Sequence, residues 1–200
     1  GDMSGKSQVP EVEQAFGYLP LNNPGSFVIF NPQMRDLAAK AIRRGGSGAG
    51  ALPHILCLQE VESLTALRTF NDRHLGKAYK YAIVIDSRDL RQIDVAILSK
   101  LELANIRSHV DDTVSGSGTS EKFLFSRDCL EVDVLLNKTG SKRLTLFINH
   151  LKSKLTFTAA ERVKADARRK LQAKTVADIA RARFPGAAFN QALFAVVGDM

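Results

Sequence analysis

Three apolar runs, "ILCLQE", "LTLFINH" and "LFAVVGD", each end in side chains that bind metals or move protons. Short runs of Leu, Ile, Val and Phe without alternation read as strands covered on both faces of a sheet. Such a strand normally closes with a turn signal, but these close with Gln59-Glu60, Asn149-His150 and Gly198-Asp199. If the strands run in compatible directions, Glu60, His150 and Asp199 converge on one rim of the sheet, where α/β proteins commonly hold their sites. Singly, each is ambiguous. A glutamate after a strand is also an ordinary solvated end, a histidine at a strand terminus a satisfied structural group, and Gly-Asp a turn pair.

The rest of the chain reads as an α/β alternation. Residues 1–26 carry Pro10, Pro20, Asn22, Asn23, Pro24 and Gly25 without a sustained period and are expected to form an irregular arm before a single domain over 27–200. "SFVIF" is read as a short strand. Helical spacing begins at Met34 and ends at Gly45-Gly46, and a second helix is expected over Glu62 to Leu75. "YAIVI" (81–85) and "DVAIL" (94–98) form an expected hairpin. "KFLFS", "CLEVDVLL" and "RLTLFI" (143–148) are further strands, the second with one wetter face carrying Glu131 and Asp133. A charged helix from about Ala159 to Ala182 precedes the last strand, "LFAVV" (193–197). The glycine stretch "GGSGAG" follows a helix instead of a strand and lacks a closing Gly-Lys-Ser/Thr, which argues against a phosphate loop.

Two hundred residues suffice for one domain with a sizeable core, and a 44% hydrophobic, 24% charged composition is that of an ordinary folded chain. The formal net charge of +7 favours a phosphate-bearing partner without choosing one, since it attracts polyanions generally. Cys57 and Cys129 lie in apolar or strand-like runs and read as inert buried thiols. No run has the length of a membrane-spanning helix, and no apolar signal-peptide core opens the chain. The start at Gly-Asp-Met leaves room for a removed leader, so a soluble protein, cytoplasmic or secreted, is expected.

The trio has a coherent chemistry. Glutamate and aspartate supply the hard oxygen ligands that Mg²⁺ prefers, and Mg²⁺ keeps several waters while bridging to phosphate oxygens. Histidine moves a proton or stabilises a phosphoryl group near neutral pH. Phosphoryl transfer asks for positioning and electrostatic stabilisation of this kind.

Five motifs in order, "PHILCLQEVES", "QIDVAILSK", "FSRDCLEVDV", "INHLKSK" and "FAVVGDM", resemble the endonuclease/exonuclease/phosphatase superfamily, the group that includes deoxyribonuclease I and neutral sphingomyelinases. The resemblance spans about Met34 to Met200. It implies a four-layered α/β/β/α sandwich of two mixed sheets and Mg²⁺-dependent phosphodiester hydrolysis, with Mn²⁺ or Ca²⁺ as substitute ions. Glu60 is similar to the family's metal-binding glutamate, His150 to its acid-base histidine and Arg127 to its phosphate-contacting arginine. Asp199 is similar to the aspartate of Gly-Asp-x-Asn that orients the nucleophile. Arg91 and Asp94 flank a strand start where the family places phosphate-side or histidine-orienting groups, and Lys152 follows the histidine as a further phosphate contact.

The chain departs from that pattern at both ends. The family's first strand ends in an asparagine, for which Asn31 is the one candidate, and its closing Ser-Asp-His lies beyond Met200, so the fold is expected to be incomplete at both ends. Nucleic acid is the expected substrate. Phospholipid or inositol-phosphate hydrolysis is the enzyme alternative, and a metal- or phosphate-binding module without turnover is the rival from another class.

Overall fold

The computed structural model describes residues 19–20, 27–28, 32–46, 48, 51–89, 91–113, 123–154, 156 and 158–200. Most of the expected N-terminal arm, and Asn31, lie outside them. The arm, expected to be irregular, contributes a strand, β1 (Leu19–Pro20), which pairs antiparallel with β2 (Phe27–Val28) inside the expected "SFVIF" strand of the domain.

The first large sheet has the order β3-β5-β4, built from β3 (Ile55–Val61), β4 (Tyr81–Val84) and β5 (Asp94–Ser99), with every pairing antiparallel. The second has the order β6-β7-β8-β9, from β6 (Leu103–Arg107), β7 (Cys129–Leu135), β8 (Arg143–His150) and β9 (Phe194–Asp199). It is mixed: β6, β7 and β8 pair antiparallel, whereas β9 joins β8 in parallel.

Side-chain alternation explains the stacking of these sheets. In β5, Val95 and Ile97 point one way and Ala96 and Leu98 the other, and all four are buried, which is why "DVAIL" carries no polar alternation. Val95 and Ile97 meet Leu130, Val132 and Val134 of β7 and Leu146 and Ile148 of β8 in a core between the sheets. Ala96 and Leu98 instead meet Ala39 of α1 (Pro32–Arg44) and Leu67 and Phe70 of α2 (Leu64–His74). On the far face of the second sheet, Cys129 and Phe147 pack under Val176 and Ala180 of α3 (Ala159–Arg183), joined by Phe189 of α4 (Ala188–Gln191). The order is therefore helices, sheet, sheet, helices. Each fully buried Leu, Ile or Phe in these cores contributes roughly 2 kcal/mol by leaving water.

The helix ends follow local chemistry. Ser63 caps α2 by accepting from the Ala66 N–H, and Thr158 and Glu161 form a reciprocal capping box at the start of α3. Pro185 follows the C-cap Phe184 of α3 and cannot continue the helix's hydrogen bonding.

Four sequence expectations are corrected. The described part of "KFLFS", residues 123–126, forms no strand: Phe123 makes an isolated bridge to Thr113, while Leu124 and Phe125 are buried under α3. The short strand β6 and the single-turn α4 are additions. The expected wet face of β7 is buried, because α3 covers it and Arg183 donates to Glu131 at 2.8 Å and to Asp133 at 3.1 Å. Finally, β3 and β9 are half-buried instead of fully covered, each being an end strand of its sheet among the described residues.

Candidate functional site

The parallel β8·β9 register sets His150 directly beside Asp199 at the strands' C-terminal ends, and the Leu151 N–H extends the ladder by donating to the Asp199 carbonyl at 2.9 Å. His150 is 5% exposed, and its Nε2 stands 4.0 Å from Oδ2 of Asp199, whose side chain is 74% exposed. The histidine therefore forms the wall and the aspartate the open lip. His150 Nδ1 is buried without a hydrogen-bond partner among the described residues. Burial lowers the imidazolium pKa, the Arg127 charge lowers it further, and Glu60, Asp199 and Asp89 oppose them; the net direction is down.

Gly198 lets the two strands approach. It has φ of +130°, and a Cβ there would stand 1.9 Å from the carbonyl oxygen of Asn149, its partner in β8.

Glu60 reaches the same rim by a different device. In the β3·β5 ladder Leu58 opposes Ala96 and Val61 opposes Asp94, so Gln59 and Glu60 together face the single residue Val95. This is a β-bulge, and Glu60 occupies it with φ of +58°, a left-handed conformation that a bulge usually gives to glycine. The exposed carboxylate is turned out of the strand's alternation, and its field acts on Arg91, Arg127 and His150. Ordinary strand termination needs no such backbone, so the abrupt Gln-Glu ending marks an aimed side chain.

Arg127 sits beneath the rim with only 1% of its surface exposed. Its Nε donates to the His150 carbonyl at 3.1 Å, Nη2 to the Leu151 carbonyl, and Nη1 to Asp89 Oδ2 at 3.1 Å. The expected phosphate contact is therefore corrected: so enclosed a guanidinium has no open face for a solvent-borne phosphate, and it holds the end of β8 in place. Asp89, which the sequence reading missed, is the hub of this arrangement. Both its oxygens also accept from Arg91, at 3.0 Å from Nε and 2.9 Å from Nη2. Burial would raise the Asp89 pKa, but these bonds and the two guanidinium charges hold the carboxyl well below the usual carboxylate range. Arg91 is 60% exposed and is the guanidinium that faces solvent. The one sequence signal was Asp-x-Arg in a loop, which on its own reads as a surface pair.

Asp94 is buried at the start of β5, and its Oδ1 accepts from the Ser87 N–H at 2.9 Å, which ties the 86–94 loop to the sheet. Burial raises its pKa, and the nearby Asp86 and Asp89 carboxylates add to this against the Ser87 bonds. It is a structural acid, and neither Arg91 nor His150 is among its hydrogen-bond partners. The Lys152 N–H donates to Gln172 Oε1 at 2.8 Å, anchoring the post-β8 segment to α3 and leaving the lysine side chain half-buried. Burial raises the Cys57 thiol to about 11 and moves Cys129 further up, which disfavours the thiolate in both; Cys129 is buried as expected, whereas Cys57 is half-buried.

Glu60 and Asp199 offer solvent-facing carboxylate oxygens, the donor type that suits Mg²⁺ held by one or two carboxylates and several waters. No group of three or more His, Cys, Asp or Glu at metal-binding spacing occurs among the described residues. No described helix is long and apolar enough to cross a membrane. Compared with protein-family models and with curated proteins, the chain matches none.

Proposed function

We propose that the protein is a metal-dependent phosphodiester hydrolase of deoxyribonuclease I-like fold, acting on nucleic acid. The observation that carries this reading is the parallel register that sets His150 beside Asp199, with Glu60 aimed at the same rim from a left-handed bulge. Glu60 would hold the Mg²⁺, with Mn²⁺ or Ca²⁺ as substitutes; when bound, the ion supplies positive charge to the phosphoryl oxygens. His150, driven toward its neutral form by burial, is suited to accept a proton at Nε2 near neutral pH. Asp199, open to solvent 4.0 Å away, orients the attacking water. Arg127 positions His150 through its carbonyl, and the exposed Arg91 takes the role of facing the phosphate.

The rival reading, a binding module without turnover, draws on the lack of a three-ligand metal group among the described residues. Hydrolysis of a supercoiled plasmid and of bis-p-nitrophenyl phosphate, with Mg²⁺ and with EDTA, separates the two. Turnover that needs the ion and disappears in both Glu60→Ala and His150→Ala supports the hydrolase. Full turnover in Glu60→Ala would sink it, and folded wild-type protein silent on both substrates would favour the module or a phospholipid or inositol-phosphate substrate.

A further inference from the structure

An open cleft of about 750 Å³ begins where β8 and β9 end, lined by Leu151, Lys154, Arg162, Asp166, Arg169 and Lys170 among others. Four of these six are cations and one is an acid. Leu151 and Met200 directly follow His150 and Asp199, so the cleft starts one residue past the rim, on the face of the sheet that α3 covers. Its long wall is α3: Arg162, Asp166, Arg169 and Lys170 follow the i, i+4, i+7, i+8 spacing of one helix face. Lys154 comes from the segment after β8.

Most cations elsewhere on α3 have partners. Lys174 and Arg181 pair with Asp178, Arg183 is held by Glu131 and Asp133, and Arg168 donates to the carbonyls of Phe123 and Leu124. Within the cleft, Arg169 donates to the Met200 carbonyl, but the charged ends of Lys154, Arg162 and Lys170 bond to no described residue. Exposed cations left unpaired along one wall of a concave surface are arranged for a ligand whose anionic charges repeat along a line.

We infer that this cleft is a track for the sugar-phosphate backbone of a polynucleotide, which it leads to the His150–Asp199 rim. This rests on the phosphodiester reading for the identity of the rim, but not for the binding itself. A flat anionic membrane surface is the poorer fit, because Lys154 and the α3 face line a recess, and the exposed apolar neighbour Val163 is not among the residues lining it. The track makes chain length a determinant of specificity. A dinucleotide spans the rim alone, whereas a longer strand also engages Arg162 and Lys170.

The test measures binding of a fluorescein-labelled oligothymidine of about 20 nucleotides in EDTA, as a function of salt, for the wild-type protein and Arg162→Ala/Lys170→Ala. Each single-strand phosphate contact adds about 0.7 to the slope of log affinity against log salt, so the double variant should lose about 1.4 and bind roughly fifteenfold more weakly at 0.15 M salt. Both residues are exposed, so the thermal midpoint should not change, and Arg162→Glu/Lys170→Glu should weaken binding further. With Mg²⁺, bis-p-nitrophenyl phosphate turnover should remain at the wild-type rate while cleavage of the oligonucleotide falls. If oligonucleotide binding depends on the pair but neither substrate is cleaved, the track stands and the hydrolase reading falls. Unchanged affinity and slope in both variants would overturn the track. So would loss of binding only to phosphatidylserine-containing vesicles, which would assign the face to a membrane.

Discussion

Replacing Asp89 with asparagine tests the idea that the rim stands on a buried ionic hub. Asp89 is 10% exposed, and each of its oxygens accepts two N–H groups: Oδ1 from the backbone and Nε of Arg91, Oδ2 from Nη2 of Arg91 and Nη1 of Arg127. Asparagine keeps one acceptor oxygen and turns an NH₂ toward donors, so two of the four bonds are lost and Arg127 loses its counter-ion. The Arg91 half is mostly solvated and contributes under about 1 kcal/mol. The Arg127 half is enclosed, and removing one partner of a buried pair costs roughly 3–5 kcal/mol. With the two carbonyls still bonded to Arg127, the net expectation for Asp89→Asn is about 3 kcal/mol, against less than about 1 kcal/mol for Arg91→Gln.

The same variant carries a pH signature. The Asp89 pKa is depressed in the folded state, so its stabilisation is complete above the unfolded value of about 3.9 and is lost as pH falls from there toward the folded value. Urea unfolding at pH 7 should therefore show the full gap between wild type and Asp89→Asn, and at pH 3 a smaller one. In an Arg127→Met background, Asp89→Asn should cost markedly less, since the two act as a unit. A gap under about 0.5 kcal/mol at pH 7, or one that does not change with pH, would refute the hub.

Three further outcomes are expected. Glu60→Gly should abolish metal-dependent hydrolysis while leaving the thermal midpoint unchanged or higher, because glycine removes the left-handed strain of about 1 kcal/mol along with the carboxylate. The acid limb of kcat/KM should fall below pH 6.5, because burial and Arg127 lower the His150 pKa, and the pH–rate profile of His150→Gln should lack that limb. Gly198→Ala forces a methyl group to 1.9 Å from the Asn149 carbonyl at φ of +130°, so thermal unfolding should show a loss of roughly 3 kcal/mol or more.

The elements with long apolar runs were legible because a run such as "LTLFI" has few alternatives to a covered strand, and α3 because its charged face recurs at helical spacing over many turns. "KFLFS" has a strand's composition but not its structure: tertiary burial of Leu124 and Phe125 took precedence over local propensity. Glu131 and Asp133 read as a solvated face because their partner, Arg183, lies about fifty residues away. Asp89 escaped notice for the same reason, Arg127 being distant in sequence. Glu60 was picked out by type, but its left-handed backbone was hidden, since a bulge without glycine leaves no trace in composition.

The parallel β8·β9 pair makes the rim possible and determines what lies beside it. Were β9 antiparallel to β8, Asp199 would sit at the opposite end of a six-residue strand, about 17 Å from His150. Parallel strands cannot be joined by a tight turn and need a crossover. Here α3 and α4 lie in that crossover, and α3 begins soon after β8 has emerged at the rim. Its middle turns therefore stand against the ends of the strands, where Gln172 accepts from the Lys152 N–H and Arg169 donates to the Met200 carbonyl, while its last turns pass over the outer face of β7, where Arg183 neutralises Glu131 and Asp133. One connection thus brings His150 and Asp199 together, sets the cations of the cleft past the strand ends and leaves the paired arginine at the far end. Under the proposed track, reversing Arg162 should affect ligand binding, whereas reversing Arg183, which is held by Glu131 and Asp133, should affect folding.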